Sequence, residues 1–197
     1  MVKIGIITTI PYAQLSNNFD NSKILEYVET IFDNFTNKHN FKKSDIILIS
    51  NGYPWIDHVP VSLFLSNEDK NKNVNNNNNY DTNDEYVGIE LCMPTEINHK
   101  TQNFLNTHEG RSLNDLHNKY KEISGIDSLN NLSRIVQAKK SNKKSIIKRG
   151  FKQANTVMVR NCDYVLVFGL AEMPDSEIWN KILCEKEYYT IKSFYNQ

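Results

Sequence analysis

Apolar positions along this chain recur in two periods, and the alternation between them predicts a β-α order. Val2 to Thr8 is a compact apolar run around Ile4, Ile6 and Ile7, expected as a first strand, within which Gly5 allows close approach of a packing partner or a ligand. From about Asp20 to Lys38, Ile24, Leu25, Val28, Ile31, Phe32 and Phe35 fall at helical spacing, so a helix with one buried stripe follows. Ile46 to Ser50 reads as a second, central strand covered on both faces, and Val59 to Leu65 as the next helix. Ser66 to Glu85 breaks the pattern: it is almost wholly Asn, Asp and Lys around Asn75–Asn79, and is expected as a mobile surface loop. Tyr86 to Met93 is a third strand, stopped by Pro94.

The second half is less periodic. Asn98 to Lys148 is polar, with room for two short helices carrying Leu113, Leu116 and Tyr120, then Leu129, Leu132, Ile135 and Val136. The basic cluster Lys139-Lys140-Ser-Asn-Lys143-Lys144 reads as a solvated linker, or as a phosphate-neutralising patch. Phe151, Ala154, Val157 and Met158 form another helical stripe, Asp163 to Phe168 another strand, Pro174 to Leu183 a last helix, and Tyr188 to Phe194 an edge strand. Strands alternating with helices predict one three-layer α/β domain over residues 1–197 with a largely parallel sheet, a disordered loop at about 66–85 and a polar helical insertion at about 98–148.

Composition narrows the function classes. The 197 residues carry 23 Lys and Arg against 23 Asp and Glu, so no global field draws the chain to nucleic acid or an anionic membrane. No apolar run approaches membrane-spanning length, and Met1-Val-Lys-Ile opens directly into a strand with no signal peptide ahead of it. Three separated cysteines, Cys92, Cys162 and Cys184, point to a reducing compartment, hence a cytoplasmic protein. The five histidines lack metal-ligand pairing, and neither a metal nor a cofactor is expected; His117, on the helix of Leu113 and Leu116, reads as half-buried rather than a ligand, with an acid–base role beside Asp115 as the alternative. No P-loop, Gly-x-Gly-x-x-Gly or Gly-x-Ser-x-Gly occurs.

The candidate site begins where the second strand ends, at Ser50-Asn-Gly-Tyr-Pro-Trp-Ile-Asp57. Asn51-Gly52 tolerates positive φ, so successive N–H groups there are expected to converge on an anion, with Asp57 capping the following helix. Thr8 and Thr9 end the first strand and offer hydroxyls to the same ligand.

Three segments together resemble the SMF/DprA–LOG (SLOG) superfamily of Rossmann-like nucleotide-ligand-binding proteins. Ser50 to Asp57 is similar to its Ser-Gly-Gly-Ala-x-Gly-x-Asp turn, and Gly110-Arg-Ser-Leu-Asn-Asp-Leu-His117 to an insertion of divergent members. Gly150-Phe-Lys-Gln-Ala-Asn155, with Cys162 to Phe168, resembles its helix and last core strand. The resemblance implies ligand contacts at Thr8, Thr9, Ser50, Asn51, Gly52, Tyr53, Trp55, Asp57, Pro94, Asn155 and Gly169, and a homodimer. Tyr53 and Trp55 stand where small residues are usual, which implies a narrower, aromatic pocket floor. Ala154 replaces an arginine, for which Arg149 or Lys152 is the nearest substitute, and Gly169 to Glu177 lacks the LOG Gly-Gly pair.

Two functions follow as expectations. The missing glycines and arginine favour a sensor or sequestering module for a nucleotide or nucleotide-derived molecule. Glu172 and Glu177, just past the last core strand, instead favour a LOG-like hydrolase of nucleoside monophosphate N-glycosides, whose oxocarbenium-like transition state needs a carboxylate. Single-stranded DNA binding, as in the SMF/DprA branch, sits poorly with the neutral charge.

Overall fold

The computed structural model describes residues 1–9, 21–74, 85–98, 100–138, 142–169 and 188–190. The strands are β1 (Val2–Thr8), β2 (Ile46–Ser50), β3 (Gly88–Met93), a short antiparallel pair β4 (Ile97–Asn98) and β5 (Asn103–Phe104), β6 (Lys143–Ile147), β7 (Tyr164–Gly169) and β8 (Tyr188–Thr190). The helices are α1 (Asn21–Lys38), α2 (Val59–Val74), α3 (His108–Ser124), α4 (Ser128–Gln137) and α5 (Phe151–Asn161). Six strands form one sheet in the order β6-β3-β2-β1-β7-β8, every neighbouring pair parallel.

Period-two alternation along the strands divides the interior into two cores, one on each side of the sheet. Ile4, Ile6, Leu48, Ile89, Leu91, Leu166 and Phe168 face a large core with the stripes of α1, α2, α3 and α4. Ile7, Ile49, Cys92, Val165 and Val167 face the other way, onto Met158 and Val159 of α5 and Cys162 at its C-terminal end. This is the expected three-layer Rossmann-like α/β architecture. Gly5 serves packing: a Cβ there would lie 2.7 Å from Cys162 Sγ and 2.9 Å from Met158 Cε, so α5 sits directly on β1.

Two boundaries differ from expectation. Helix α2 does not end at Leu65 but continues to Val74, because its polar residues find partners on other elements. Asn67 Oδ1 accepts from the Tyr86 N–H (3.3 Å), Glu68 pairs with Lys143 (2.8 Å), and Asp69 takes two bonds from Arg134 (2.7 and 2.9 Å). Residues 75–84 of the expected loop lie outside the described residues. Nor is 98–148 only a helical insertion: its last part is β6, paired with β3 from Ile89↔Lys143 to Met93↔Ile147. The basic cluster is therefore not a linker at Lys143 and Lys144. Lys143 is buried against Glu68 with its ammonium over the Phe64 ring, and Lys144 lies 3.9 Å from Glu90. The last helix expected at 174–183 falls outside the described residues, and β8 stands at the sheet edge as anticipated.

Candidate functional site

Strand order reverses at β1. The chain lays down β1, β2, β3 and β6 in one direction and then places β7 on the free side of β1. In open parallel sheets such a reversal marks where ligands enter, beyond the carboxyl ends of the two adjoining strands. Here those ends are Thr8 and Thr9 of β1 and Phe168 and Gly169 of β7.

Local hydrogen bonding organises this edge from beneath. The Thr9 N–H donates to the Phe168 carbonyl at 2.9 Å, and the Thr8 hydroxyl to the same oxygen at 3.2 Å, which fastens β1 to β7 at the rim. Asn51, at the end of β2, is buried yet reaches three neighbours. Its Oδ1 accepts from the Tyr53 N–H (3.0 Å), while its Nδ2 donates to Asp57 Oδ1 (2.8 Å) and lies 3.4 Å from Asn155 Oδ1 on α5. Asn51 thus ties β2 to α5 across the carboxyl edge. Thr9 and Asn155 are half-exposed above this support.

The Asn51–Gly52 turn itself is a correction. Gly52 does take positive φ, +75°, but its N–H donates to Ser50 Oγ (3.1 Å), and the next N–H is held by Asn51. Both amides are satisfied internally, so the turn is not the anion cradle the dipeptide suggested. Tyr53 and Trp55 are likewise core residues rather than a pocket floor, 5% and 2% exposed, the first against Phe151 and the second against Tyr120. Their bulk is packed by ring contacts, Tyr53 edge-on to Phe151 of α5 and Trp55 tilted against Tyr120 of α3.

Asp57 differs too. It lies within a 3-10 turn, Trp55–His58, and its carboxylate turns inward to Asn51 and to the Thr8 N–H (3.3 Å) instead of capping α2. Both bonds end on Oδ1; Oδ2 is buried with no hydrogen-bond partner. Burial pushes the Asp57 carboxyl up to about 7, against the opposing pull of the Asn51 and Thr8 donors. Ser50 secures the same turn by donating to the Asp57 carbonyl at 2.8 Å.

Of the remaining expected contacts, Pro94 is buried just past β3, two strands from β1, and Gly169 ends β7 beside Thr190 of β8. Glu172 and Glu177 lie outside the described residues. Among the described residues no group of three or more His, Cys, Asp or Glu is arranged to hold a metal ion, and no helix is long and apolar enough to cross a membrane.

Sequence reasoning missed how firmly α3 and α4 grip the turn. His117 is buried and bridges Gly52 to Ser128: its Nε2–H donates to the Gly52 carbonyl (3.0 Å), which makes Nδ1 the acceptor for the Ser128 hydroxyl (2.7 Å). Burial lowers the imidazole to about 4, so it stays neutral and structural, and no acid–base role with Asp115 is needed to explain it. Neighbouring His58, also fully buried and lowered to about 3, lies 3.4 Å from Asn131 of α4. The only local signal for these anchors was polarity on otherwise apolar helical faces.

No family model matches the chain, and no solved structure matches it. It is similar to "Uncharacterized protein R261" of Acanthamoeba polyphaga mimivirus, 27% identical over 185 residues that cover 92% of this chain and 91% of that protein.

Proposed function

We propose that this protein binds a nucleotide or nucleotide-derived small molecule at the carboxyl edge of its sheet, as a sensor or sequestering module of the SLOG type. The observation that carries the reading is the reversal of strand order at β1 and β7, with Thr9 and Asn155 half-exposed over a hydrogen-bonded base of Asn51, Asp57 and Thr8. Helix α5 adds electrostatic support. Its N-cap is Gly150, its first turn holds no acid, and Lys148, Arg149 and Lys152 are exposed around its N-terminus, where phosphate is favoured by charge and dipole alike. These cations, rather than the Asn51–Gly52 amides, are the phosphate partners in this reading. Cys92 and Cys162 are buried thiols outside any disulfide, in accord with a cytoplasmic setting, and the homodimer of the resemblance goes with the same reading.

The test is thermal melting with a panel of nucleoside mono-, di- and triphosphates and their nucleosides. A ligand at about 100 times its Kd stabilises by about 2.7 kcal/mol, a rise of several degrees. Asn155→Ala and Arg149→Ala/Lys152→Ala should each reduce the rise, and no shift with any phosphate-bearing member refutes the reading.

One observation favours a hydrolytic variant of it: the buried Asp57 carboxyl, its pKa raised to about 7, is bonded to the Thr8 N–H and to Asn51 directly under that edge. In that variant Asp57 acts from beneath, by positioning Asn51, and Glu172 or Glu177 supplies the carboxylate that the oxocarbenium-like state needs. Release of free base from a nucleoside monophosphate, lost in Glu172→Gln, would establish it. Hydrolysis undiminished in Glu172→Gln removes that residue from the mechanism.

A further inference from the structure

A cleft of about 290 Å³ opens where α1, α2 and α4 meet, on the helical layer over the large core. It shares no lining residue with the carboxyl edge, and neither reading of that edge uses it. Its size matches a molecule of a few heavy atoms, at the small end of ligand sites.

Its apolar lining is Leu25, Val59, Leu65 and Ile126, interspersed with the neutral polar Ser62, Ser66 and Asn131. The charged lining groups are unequal. Arg134 is bound to both oxygens of Asp69, so those two lining groups neutralise one another. Glu29 is left over: among the described residues its carboxylate has neither a hydrogen bond nor an ion pair. Glu26 and Asp33, one turn to either side on α1, add negative potential, and Lys70 is the cation that opposes it. Partial burial and then Asp33 hold the Glu29 carboxyl above the usual carboxylate range, the condition an incoming cation relieves.

We propose that this cleft is a second binding site, for a small molecule bearing an ammonium group on a short apolar stem. The stem lies on Leu25, Val59 and Leu65 while the ammonium pairs with Glu29. A carboxylate in the same place would meet Glu29 and its neighbours as like charges. A neutral alcohol would gain the apolar lining and hydrogen bonds to Glu29, Ser62, Ser66 or Asn131, without the charge pairing.

The experiment uses the full chain and three probes of equal length, n-butylammonium, n-butanol and n-butyrate, followed by NMR chemical shifts of the Leu25, Leu65 and Ile126 methyl groups. Expected is millimolar saturation with n-butylammonium, and at least about tenfold weaker binding of the other two, the equivalent of about 1.4 kcal/mol. Glu29→Gln, an exposed helical change that leaves the core intact, should abolish the preference for ammonium while the weak alcohol binding stays. Equal binding of all three probes, saturation by butyrate, or an ammonium preference that survives Glu29→Gln overturns the proposal, as does the absence of shifts with any probe. Nucleotide melting shifts of Glu29→Gln should equal those of the parent protein, so this site and the carboxyl-edge reading fail separately.

Discussion

Asp57 and the two histidines beside it respond to acid in opposite directions, and the balance is measurable. The buried carboxyl has its pKa raised from 3.8 to about 7, so the folded state holds a proton that the unfolded chain releases; alone, Asp57 makes the protein less stable as pH rises from about 4 to about 7. His58 and His117 are lowered from 6.5 to about 3 and about 4, so the unfolded chain takes up two protons that the folded state refuses. Between pH 6.5 and 4 the unfolded state therefore binds a net one proton more, and stability falls on acidification by at most about 1.4 kcal/mol per pH unit. Asp57→Asn removes the opposing term. Its urea midpoint should fall about twice as steeply from pH 6.5 to 5 and match or exceed the parent's at pH 8; parallel slopes would contradict the burial argument. Gly5 gives a second prediction at this scale. Gly5→Ala places a methyl group against Cys162 and Met158 and should cost about 1–3 kcal/mol, read as a lower urea midpoint with unchanged slope. The need for Gly5 was visible in the sequence as a glycine within an apolar strand. The inward turn of Asp57 was not, because Asp before a helix fits an N-cap equally well, and the choice was made by Asn51 and Thr8, one six residues away and the other on a different strand.

The elements read most clearly from the sequence are those whose apolar period is uninterrupted. Helix α1 and strands β1, β2 and β7 fall within a residue or two of expectation because Ile, Leu, Val and Phe mark their buried faces. Strand β6 and the second half of α2 were not legible, since each is stabilised by the other's charge rather than by its own apolar face. Lys143 and Glu68 show this directly, their side chains only 4% and 16% exposed. Removing either side chain breaks a buried ion pair, so Lys143→Met or Glu68→Gln should each destabilise by about 3–5 kcal/mol. Lys143→Met combined with Glu68→Leu should recover most of that loss, because two apolar groups also suit the site beside Phe64. If the double variant is as unstable as the sum of the singles, the pair is not coupled and another feature holds β6 in place.

Over the whole molecule, the position of a strand in the sheet decides how it opens. β1 and β2 are each paired on both sides and lie between two cores, whereas β6 has, among the described residues, the single neighbour β3 and a backbone only partly covered. Exchange of an amide by local opening is easiest where one strand can detach without uncovering a core. Native-state hydrogen exchange should therefore show Ile4 to Ile7 and Leu48 to Ile49 exchanging only by global unfolding, and the β6 amides that pair with β3 through a smaller, sub-global opening. Because Lys143 and Glu68 fasten β6 to α2, Lys143→Met should lower the free energy of that local opening more than it lowers global stability. A nucleotide at the carboxyl edge would stabilise the β1 and β2 amides fully and leave the β6 opening nearly unchanged, since that edge is built on β1, β2, β7 and α5. Equal protection of β6 and β1 in the free protein would mean that the sheet opens as one unit, and would locate the cohesion of this fold in its helices rather than in the strand order.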